Sequence, residues 1–254
     1  MPKIISMANQ KGGVGKTTVC LQTIYELIAR GNKVLAIDFD GQGNLSSRLG
    51  FDLEEGQFHG TRTAELYRNE AFEIKPVICG DNLHLIYANT NDPELFEIES
   101  APMEAAGNPK KHIDTIKDNY DYIIIDCPPT LGRNLLAALA LSTHVITVVK
   151  VSGFAVDGAS GLMKTIGVVQ SEVNQNLVNA GFLINMFDNS PTHWKSYNRL
   201  KEGLGNLLFE NMLRYRTPID TATSEGIPVK QLPYAHVAAG ELELVLDEII
   251  RRTN

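Results

Sequence analysis

The feature that most constrains this 254-residue chain is a glycine-rich octet near its beginning, Lys11-Gly12-Gly13-Val14-Gly15-Lys16-Thr17-Thr18. Its glycines let successive backbone N–H groups turn toward a phosphate chain without steric interference from a Cβ atom. The plain phosphate-loop pattern requires glycine at position 10, where this chain has Gln10, but a variant with an additional lysine fits every position. The octet therefore predicts a nucleotide phosphate site that carries two lysines, Lys11 and Lys16.

The residues on either side of the octet supply the order of strand, loop and helix that such a site requires. Residues 4–8 form an apolar run that suits a buried strand, and residues 16–30 carry apolar side chains at helical spacing. The positive N-terminal end of that helix would face the phosphates. Lys16 would then reach the β- and γ-phosphates, and the Thr17 hydroxyl would bind Mg²⁺. The alternative is a glycine turn that binds nothing.

Short apolar runs alternate with helical patterns along the rest of the chain. Strands are predicted at residues 33–38, 83–87, 122–126, 144–149 and 181–185, and helices at residues 132–142, 155–175 and 236–252. This alternation is typical of an α/β fold with a mostly parallel, twisted sheet covered by helices on both faces. Residues 51–110 lack a clear period and are predicted as irregular surface structure with short helices. We expect residues 1–254 to form a single domain.

Three aspartates follow predicted strands at the carboxyl edge of the sheet, where open α/β sheets bind ligands. Asp126 closes an apolar strand and precedes two prolines, so it suits a Walker B carboxylate that supports Mg²⁺. Asp38 and Asp40 lie at the end of another strand. One of them is expected to face the γ-phosphate and to orient a water molecule for in-line attack. The alternative is that both only cap the following turn.

Lys11 needs a separate explanation because Lys16 already fills the usual phosphate-binding position. A second lysine that points away from its own nucleotide suits contact with a nucleotide in a neighbouring subunit, as an arginine finger does. This interpretation would make ATP part of a dimer interface. The alternative is that Lys11 is simply exposed to solvent.

Composition and charge exclude several classes of protein. No run of about 18 apolar residues is present, and a strand occupies the place of a signal segment, so we expect a cytoplasmic protein without a membrane partner. Three scattered cysteines and six histidines lack metal-ligand spacing. The net charge of −7 disfavours binding of nucleic acid through bulk electrostatics.

The charge is nevertheless distributed unevenly. Residues 51–108 contain twelve acidic and three basic residues, whereas residues 191–230 contain six basic and four acidic residues. Such asymmetry permits a local basic face on an acidic protein, although a solvated face without a partner is the alternative. The candidate DNA contacts are Arg199, Lys201, Arg214, Arg216 and Lys230.

Three motifs together resemble the ParA/Soj family of deviant Walker A ATPases. They are residues 8–18, the run Asp38-x-Asp40-x-Gln42-Gly43-Asn44, and residues 125–129, with further similar segments at residues 154–158 and 224–228. The resemblance implies an ATP sandwich dimer in which Lys11 contacts the partner's phosphates and Asp40 positions the attacking water. It also places Asp40 in the metal site, together with Thr17 and Asp126. It also implies that Lys16 and Thr17 bind MgATP, with adenine contacts from Asn185, Met186 and Pro228.

The resemblance further implies a nucleoid-associated partition or positioning ATPase that dimerises on MgATP and binds DNA without sequence preference. A ParB-like centromere-binding protein or a cargo adaptor would stimulate hydrolysis and so release it. The family usually has proline where this chain has Gly41, a departure expected to change the rate of hydrolysis. No N-terminal helix-turn-helix extension is expected, because the phosphate loop begins at residue 11.

Three other kinds of function share this kind of fold. A MinD-like, membrane-associated spatial regulator would carry a basic amphipathic C-terminal helix, but residues 241–252 are acidic on their polar side. A metal-handling relative would need cluster cysteines, which the three scattered cysteines do not supply. A metabolic enzyme on the same fold stays open at this point.

Overall fold

The computed structural model describes residues 1–50, 59–151 and 155–254, with the backbone alone for residues 155–159. Seven strands lie within these ranges. They are β1 Lys3–Ala8, β2 Val34–Asp38, β3 Val77–Gly80, β4 Leu83–Ile86, β5 Tyr122–Asp126, β6 His144–Lys150 and β7 Val178–Asn185. All seven belong to one sheet with the order β3-β4-β2-β5-β1-β6-β7.

The sheet is parallel except for β3, which pairs antiparallel with β4. The predicted mostly parallel sheet is therefore confirmed. The register of β2 against β5 places Asp38 beside Asp126, so two carboxylates meet at the carboxyl edge. The irregular structure with short helices predicted for residues 51–110 needs one correction, because β3 lies within it; residues 51–58 of that segment lie outside the described ranges. A four-residue edge strand is too short to show a period in the sequence.

Nine α-helices fall within the described residues. They are α1 Lys16–Ala29, α2 Asn44–Leu49, α3 Pro93–Ile98, α4 Asn108–Ile113, α5 Arg133–Leu141, α6 Ala155–Glu172, α7 Pro191–Leu204, α8 Thr217–Glu225 and α9 His236–Thr253. Their ends follow local chemistry. The Asp92 carboxylate caps α3 by accepting from two backbone N–H groups, and Ser190 caps α7 just before Pro191. Gly226, in the left-handed conformation, ends α8.

Both faces of the sheet are covered, as the apolar strands predict. Along β1 the side chains alternate: Ile5 and Met7 belong to the core beneath α1, α8 and α9, whereas Ile4 and Ala8 belong to the core beneath α3 to α6. Burying each Ile or Leu contributes about 1.5–3 kcal/mol to folding. The carboxyl edge of the sheet lies between these two layers and is left open for ligands.

The outer strands of the sheet are both protected. The ladder between β3 and β4 shifts register between Ile78 and Gly80. On the other side, the chain at residues 208–214 runs along β7, where the N–H groups of Phe209 and Leu213 donate to β7 carbonyl oxygens at 2.9 Å. No helix in the described ranges combines the length and apolar character needed to cross a membrane.

The C-terminal helix α9 is tied to this covering segment. The buried Glu248 carboxylate accepts hydrogen bonds from the backbone N–H groups of Glu210 and Asn211, both at 2.9 Å. Arg252 donates to Glu248 at 2.8 Å, and its guanidinium lies 4.4 Å from the centre of the Phe209 ring. One carboxylate therefore joins α9 to the chain that covers β7.

Candidate nucleotide-binding site

A cavity of about 400 Å³ opens at the carboxyl edge of the sheet, between the glycine-rich loop and the turn after β2. It is lined by Gly12, Gly13, Gly15, Lys16, Thr17, Thr18, Asp40, Gln42, Asn44, Arg48, Pro129, Met186 and Thr223. The first seven residues and Met186 were selected from the sequence as nucleotide or metal contacts. The structure therefore gathers the central part of the expected site in one place.

The glycine-rich loop takes a conformation that only glycine adopts readily. Gly15 has a φ of +88°, and a Cβ atom built there would lie 2.1 Å from the Asn185 amide nitrogen. That nitrogen donates to the carbonyl oxygen of the buried Val14 at 2.8 Å. The Asn185 oxygen accepts from the N–H of Met186 at 2.9 Å. Asn185, the last residue of β7, thus holds the loop by a hydrogen bond to Val14. The adenine contact expected for Asn185 stays a prediction.

Lys16 and Thr17 begin α1 and face the cavity. The Lys16 side chain is mostly buried in the wall, with its residue only 6 % exposed. The Thr17 hydroxyl donates to Oδ2 of Asp126 at 2.5 Å. Thr17 and Asp126 belong to separate motifs in the sequence, and the parallel pairing of β1 with β5 brings the two motifs together.

Asp126 lies behind Thr17 and is wholly buried. Its Oδ1 atom has no hydrogen-bond partner among the described residues. Burial raises the pKa of this carboxyl from 3.8 to about 7, and the Thr17 hydroxyl and Lys16 partly oppose that rise. A buried carboxylate oxygen without a partner, next to a threonine hydroxyl, fits a Mg²⁺ ion or its water shell.

The two aspartates of the turn after β2 take different roles. Asp38 points into the protein, where its carboxylate accepts from the Ser46 N–H at 2.9 Å and the Ser46 hydroxyl at 2.8 Å. It also accepts from the backbone N–H of Asp40 at 3.1 Å. Burial and the neighbouring Asp126 raise the pKa of Asp38. Asp38 therefore holds the turn, which leaves Asp40 as the carboxylate that lines the cavity.

Asp40 is nearly buried but reaches the cavity wall. Its Oδ1 atom accepts from the backbone N–H of Gln42 at 3.1 Å, and its carbonyl oxygen accepts from the N–H of Gly43 at 2.9 Å. Burial raises the pKa of Asp40, and the Gln42 N–H and Lys16 oppose this effect. The other Asp40 oxygen could accept a hydrogen bond from a water molecule, as the expected role requires.

Lys11 differs from Lys16 in its surroundings. Lys11 is exposed and does not line the cavity, although five residues further on Lys16 is almost buried there. The backbone N–H of Lys11 donates to Oδ1 of Asn9 at 2.9 Å, and the Asn9 amide donates to the Val148 carbonyl at 2.5 Å. The loop is thus anchored to β6, while Lys11 is exposed and is not part of the cavity lining.

Pro228 lies in a neighbouring groove and does not line the phosphate cavity. That groove, of about 480 Å³, is also lined by Arg48, which lines the phosphate cavity as well. The two spaces are therefore adjacent, and the adenine contact of Pro228 stays a prediction. The similar segment at residues 154–158 includes no side chain that the structure describes.

The basic residues selected as DNA contacts do not form a face of five free cations. Arg214 and Arg216 both pair with Glu241, at 2.9 and 2.7 Å, and Lys230 pairs with Glu26 at 3.3 Å. The charge count over residues 191–230 missed these pairs because Glu241 and Glu26 lie outside that segment. Arg199 and Lys201 are exposed on α7, and the DNA role of all five residues stays a prediction.

Sequence reasoning assigned no role to five residues that line the cavity: Gln42, Asn44, Arg48, Pro129 and Thr223. Gln42, Asn44 and Pro129 belong to the quoted motifs, so their presence in the motifs was the available signal. Thr223 directly precedes the segment at residues 224–228. Arg48 lies in the last turn of α2, a helix too short to reveal in the sequence which way its side chains point.

Fold and site together define a P-loop NTPase of the deviant Walker A type, with a second lysine in its phosphate loop. A family model described as an AAA domain matches residues 2–179. The chain is 30 % identical, over 263 aligned positions, to the chromosome-partitioning ATPase Soj of Treponema pallidum. The alignment covers 99 % of this chain and 98 % of that relative. The chain therefore belongs to the ParA/Soj family of partition ATPases and is an ATP-hydrolysing enzyme.

Solved structures of similar shape include two with bound nucleotide analogues. A plasmid partition protein from Borrelia burgdorferi bound to AMPPNP matches with a TM-score of 0.81 at 24 % identity, over 99 % of this chain and 100 % of that one. Cobyrinic acid a,c-diamide synthase from Mycobacterium smegmatis, with an ATP analogue and magnesium, matches with a TM-score of 0.79 at 21 % identity, over 99 % and 95 %. At such identities the likeness shows the fold alone, and the second match shows that a biosynthetic enzyme shares it.

Proposed function

We propose that this protein is a partition or positioning ATPase that forms a sandwich dimer on MgATP and binds duplex DNA without sequence preference. A ParB-like protein or cargo adaptor would stimulate hydrolysis and release it from the nucleoid. The observation that carries the proposal is the contrast between two lysines of one loop: Lys16 is buried in the cavity wall, whereas Lys11 is exposed outside it. A lysine in that position is available to a nucleotide held by a second copy.

Different residues of the cavity would bind the phosphates and the metal ion. The backbone N–H groups of the glycine loop and the N-terminal end of α1 would hold the phosphates, with Lys16 as the charged contact. Mg²⁺, when bound, neutralises charge that develops on the phosphate oxygens. Thr17 and Asp126 would hold the ion, because the Asp126 Oδ1 atom is buried without another partner. Asp40 lines the same cavity as Thr17 and would share the water shell of the ion.

Hydrolysis would use Asp40 as the group that orients water. A new bond forms between the water oxygen and the γ-phosphorus while the bond to the β–γ bridging oxygen breaks, which gives ADP and inorganic phosphate. Asp38 would not contact the water, since Ser46 and the Asp40 N–H occupy its oxygens. Lys11 of the partner copy would stabilise the same phosphates in the transition state.

Three variants test this assignment. Lys16→Ala should abolish MgATP binding because a charge and its hydrogen bonds vanish together. Lys11→Ala should bind MgATP as a monomer but lose ATP-dependent dimerisation and most hydrolysis, with a loss on the order of 10³-fold. Asp40→Ala should bind MgATP and dimerise but hydrolyse hardly at all. Calorimetry, light scattering and phosphate release measure the three steps.

A matched control separates these roles from loss of surface charge. Lys75 is an exposed lysine on the segment before β3, and Lys75→Ala should behave like the wild type in all three assays. Normal ATP-dependent dimerisation of Lys11→Ala would overturn the sandwich arrangement. Wild-type turnover of Asp40→Ala would move the water-orienting role to another residue.

The DNA part of the proposal rests on the exposed cations of α7. Arg199→Glu with Lys201→Glu should weaken binding of duplex DNA strongly, because neither residue is paired with a carboxylate in the described part of the chain. If each subunit makes about three phosphate contacts, the logarithm of affinity should fall with that of salt at a slope of about −5 for the dimer. Affinity should be the same for scrambled sequences of equal length.

Arg214 and Arg216 give a second arm to the DNA experiment. Glu241 neutralises them in this structure, and their hydrogen bonds lower the pKa of that carboxyl. Glu241→Gln should therefore strengthen DNA binding if the two arginines lie on the DNA face. Unchanged affinity in Glu241→Gln, together with unchanged affinity in the α7 variant, would place the DNA face elsewhere. Co-sedimentation with liposomes, expected to be negative with and without ATP, tests the membrane alternative.

A further inference from the structure

The turn that carries Asp40 is covered by an aromatic ring from another element. A Cβ atom built on Gly41 would lie 3.0 to 3.4 Å from three atoms on one edge of the Phe96 ring. Phe96 belongs to α3, and the ring thus occupies the space that a side chain at position 41 would need. Despite this contact, Phe96 is 47 % exposed. An aromatic ring left half in water contributes less to folding than a buried one.

A second contact links α3 to the same turn. The backbone N–H of Asp92 donates to the Gly41 carbonyl oxygen at 2.8 Å. Asp92 is also the residue whose carboxylate caps α3, and the Phe96 N–H donates to the Asp92 carbonyl at 3.2 Å. The N-cap residue of α3 therefore holds Gly41 by a hydrogen bond, and the Phe96 ring in the first turn of the helix covers the same residue.

Gly41 lies at a sensitive point of the turn. The hydrogen bond from the Gln42 N–H to the Asp40 carboxylate spans Gly41, so any rotation of the backbone at Gly41 changes that bond. Glycine has the greatest backbone freedom of any residue. On the side nearer the core Asp40 is already fixed, because its own N–H donates to Asp38. The direction of the Asp40 carboxylate therefore depends on what restricts Gly41.

We propose that Phe96 is a positioning residue for hydrolysis: its ring, packed on Gly41, restricts the turn and thereby aims the Asp40 carboxylate at the attacking water. The inference rests on the water-orienting role of Asp40 proposed above. The Phe96 ring would thus do what a proline at position 41 would do, namely restrict rotation of the backbone there. Phe96 does not line the cavity, so it would act through Gly41 and not by direct contact with the nucleotide.

The first test removes the ring. Phe96→Ala should lower kcat for ATP hydrolysis by about tenfold at saturating MgATP, because a displaced catalytic group costs up to about 100-fold. The KM for MgATP should change by less than threefold, since Phe96 does not line the cavity. Phe96→Leu, which keeps bulk over Gly41, should retain at least half of the wild-type kcat. Met103→Ala, at another exposed apolar residue, is the matched control and should leave kcat unchanged.

The second test exchanges one restriction for another. Proline fixes φ near −65° and so restricts the turn from within the backbone, and the φ of Gly41 is not positive. Gly41→Pro alone should lower kcat about tenfold, because its Cβ would lie 3.0 Å from the Phe96 ring. Gly41→Pro combined with Phe96→Ala should recover kcat to within about threefold of wild type. A merely structural role of Phe96 gives no such recovery.

Two outcomes would overturn the proposal. One is a wild-type kcat in Phe96→Ala. The other is a double variant whose fractional kcat is no larger than the product of the two single fractions. Asp40→Ala, assayed beside these variants, separates this proposal from the proposed function. If Asp40→Ala hydrolyses ATP at the wild-type rate, the role of Asp40 fails; if it is inactive while Phe96→Ala is unaffected, only the role of Phe96 fails.

Discussion

Replacing Gly15 by alanine should lower the free energy of unfolding more than the same replacement at Gly13, two residues earlier in the same loop. Both glycines have positive φ, +88° at Gly15 and +69° at Gly13. A Cβ atom at Gly13 would meet nothing within 4 Å, whereas one at Gly15 would lie 2.1 Å from the amide nitrogen of the buried Asn185. The pair therefore separates backbone strain from steric overlap.

The magnitude follows from these two terms. An L-residue in the left-handed region costs about 1–2 kcal/mol, and both variants share this cost. At Gly15 the Asn185 side chain must also move away from its bonds to Val14 and Met186. Losing the pairing of a buried polar group costs about 1–3 kcal/mol more. We expect the free energy of unfolding to fall by about 3 kcal/mol for Gly15→Ala and by about 1.5 kcal/mol for Gly13→Ala.

Denaturant titration of the ligand-free protein measures both values, with unchanged slopes as the check that the unfolding remains two-state. The double variant Gly15→Ala with Asn185→Ala provides the internal control, because it removes the overlap but keeps the strain. Its loss should exceed that of Asn185→Ala alone by only about 1–2 kcal/mol. Equal losses at Gly13 and Gly15 would refute the reasoning, since the Asn185 contact would then contribute nothing.

Three further predictions concern buried polar groups. Burial raises the pKa of Asp126 from 3.8 to about 7, so between these pH values the folded state keeps a proton that the unfolded state releases. The free energy of unfolding should therefore fall as pH rises from 3.8 to about 7, and it should fall less in Asp126→Asn. Denaturant titration at each pH measures it. Glu248→Gln should lower the free energy of unfolding by about 3 kcal/mol, because the amide NH₂ would replace one acceptor oxygen and face an N–H donor. The control Glu210→Gln, at an exposed residue, should lower it by under about 0.5 kcal/mol, and thermal melts measure both variants. Ser46→Ala should cost about 2 kcal/mol by loss of the Asp38 contact; a loss below about 0.5 kcal/mol would contradict it.

Local motifs predicted the part of the site that one segment of chain builds. The order of glycines and lysines in residues 11–18 was enough to place Lys16 and Thr17 at a phosphate cavity, because the strand, loop and helix are contiguous in sequence. The alternation of apolar runs likewise predicted the parallel strands and the helices on both faces. In each case neighbours along the chain determine the geometry.

Other parts depend on residues that are distant in sequence. The inward turn of Asp38 depends on Ser46, and the support of Val14 depends on Asn185, which lies 171 residues away. The same limit applies to charge. A count along residues 191–230 could not show that Glu241 pairs with Arg214 and Arg216, because that pairing forms only when α9 packs beside the chain that follows β7.

The protected outer strands of the sheet have a consequence for assembly. A bare strand invites another chain to extend the sheet, which leads toward aggregates that separate only slowly. Here β3 is short and irregular, and the chain at residues 208–214 occupies the hydrogen-bonding side of β7. Copies of this protein are thus steered away from joining strand to strand. In the dimer proposed above, association would instead use the loops at the carboxyl edge, where a small molecule can make or break the contact within one reaction cycle.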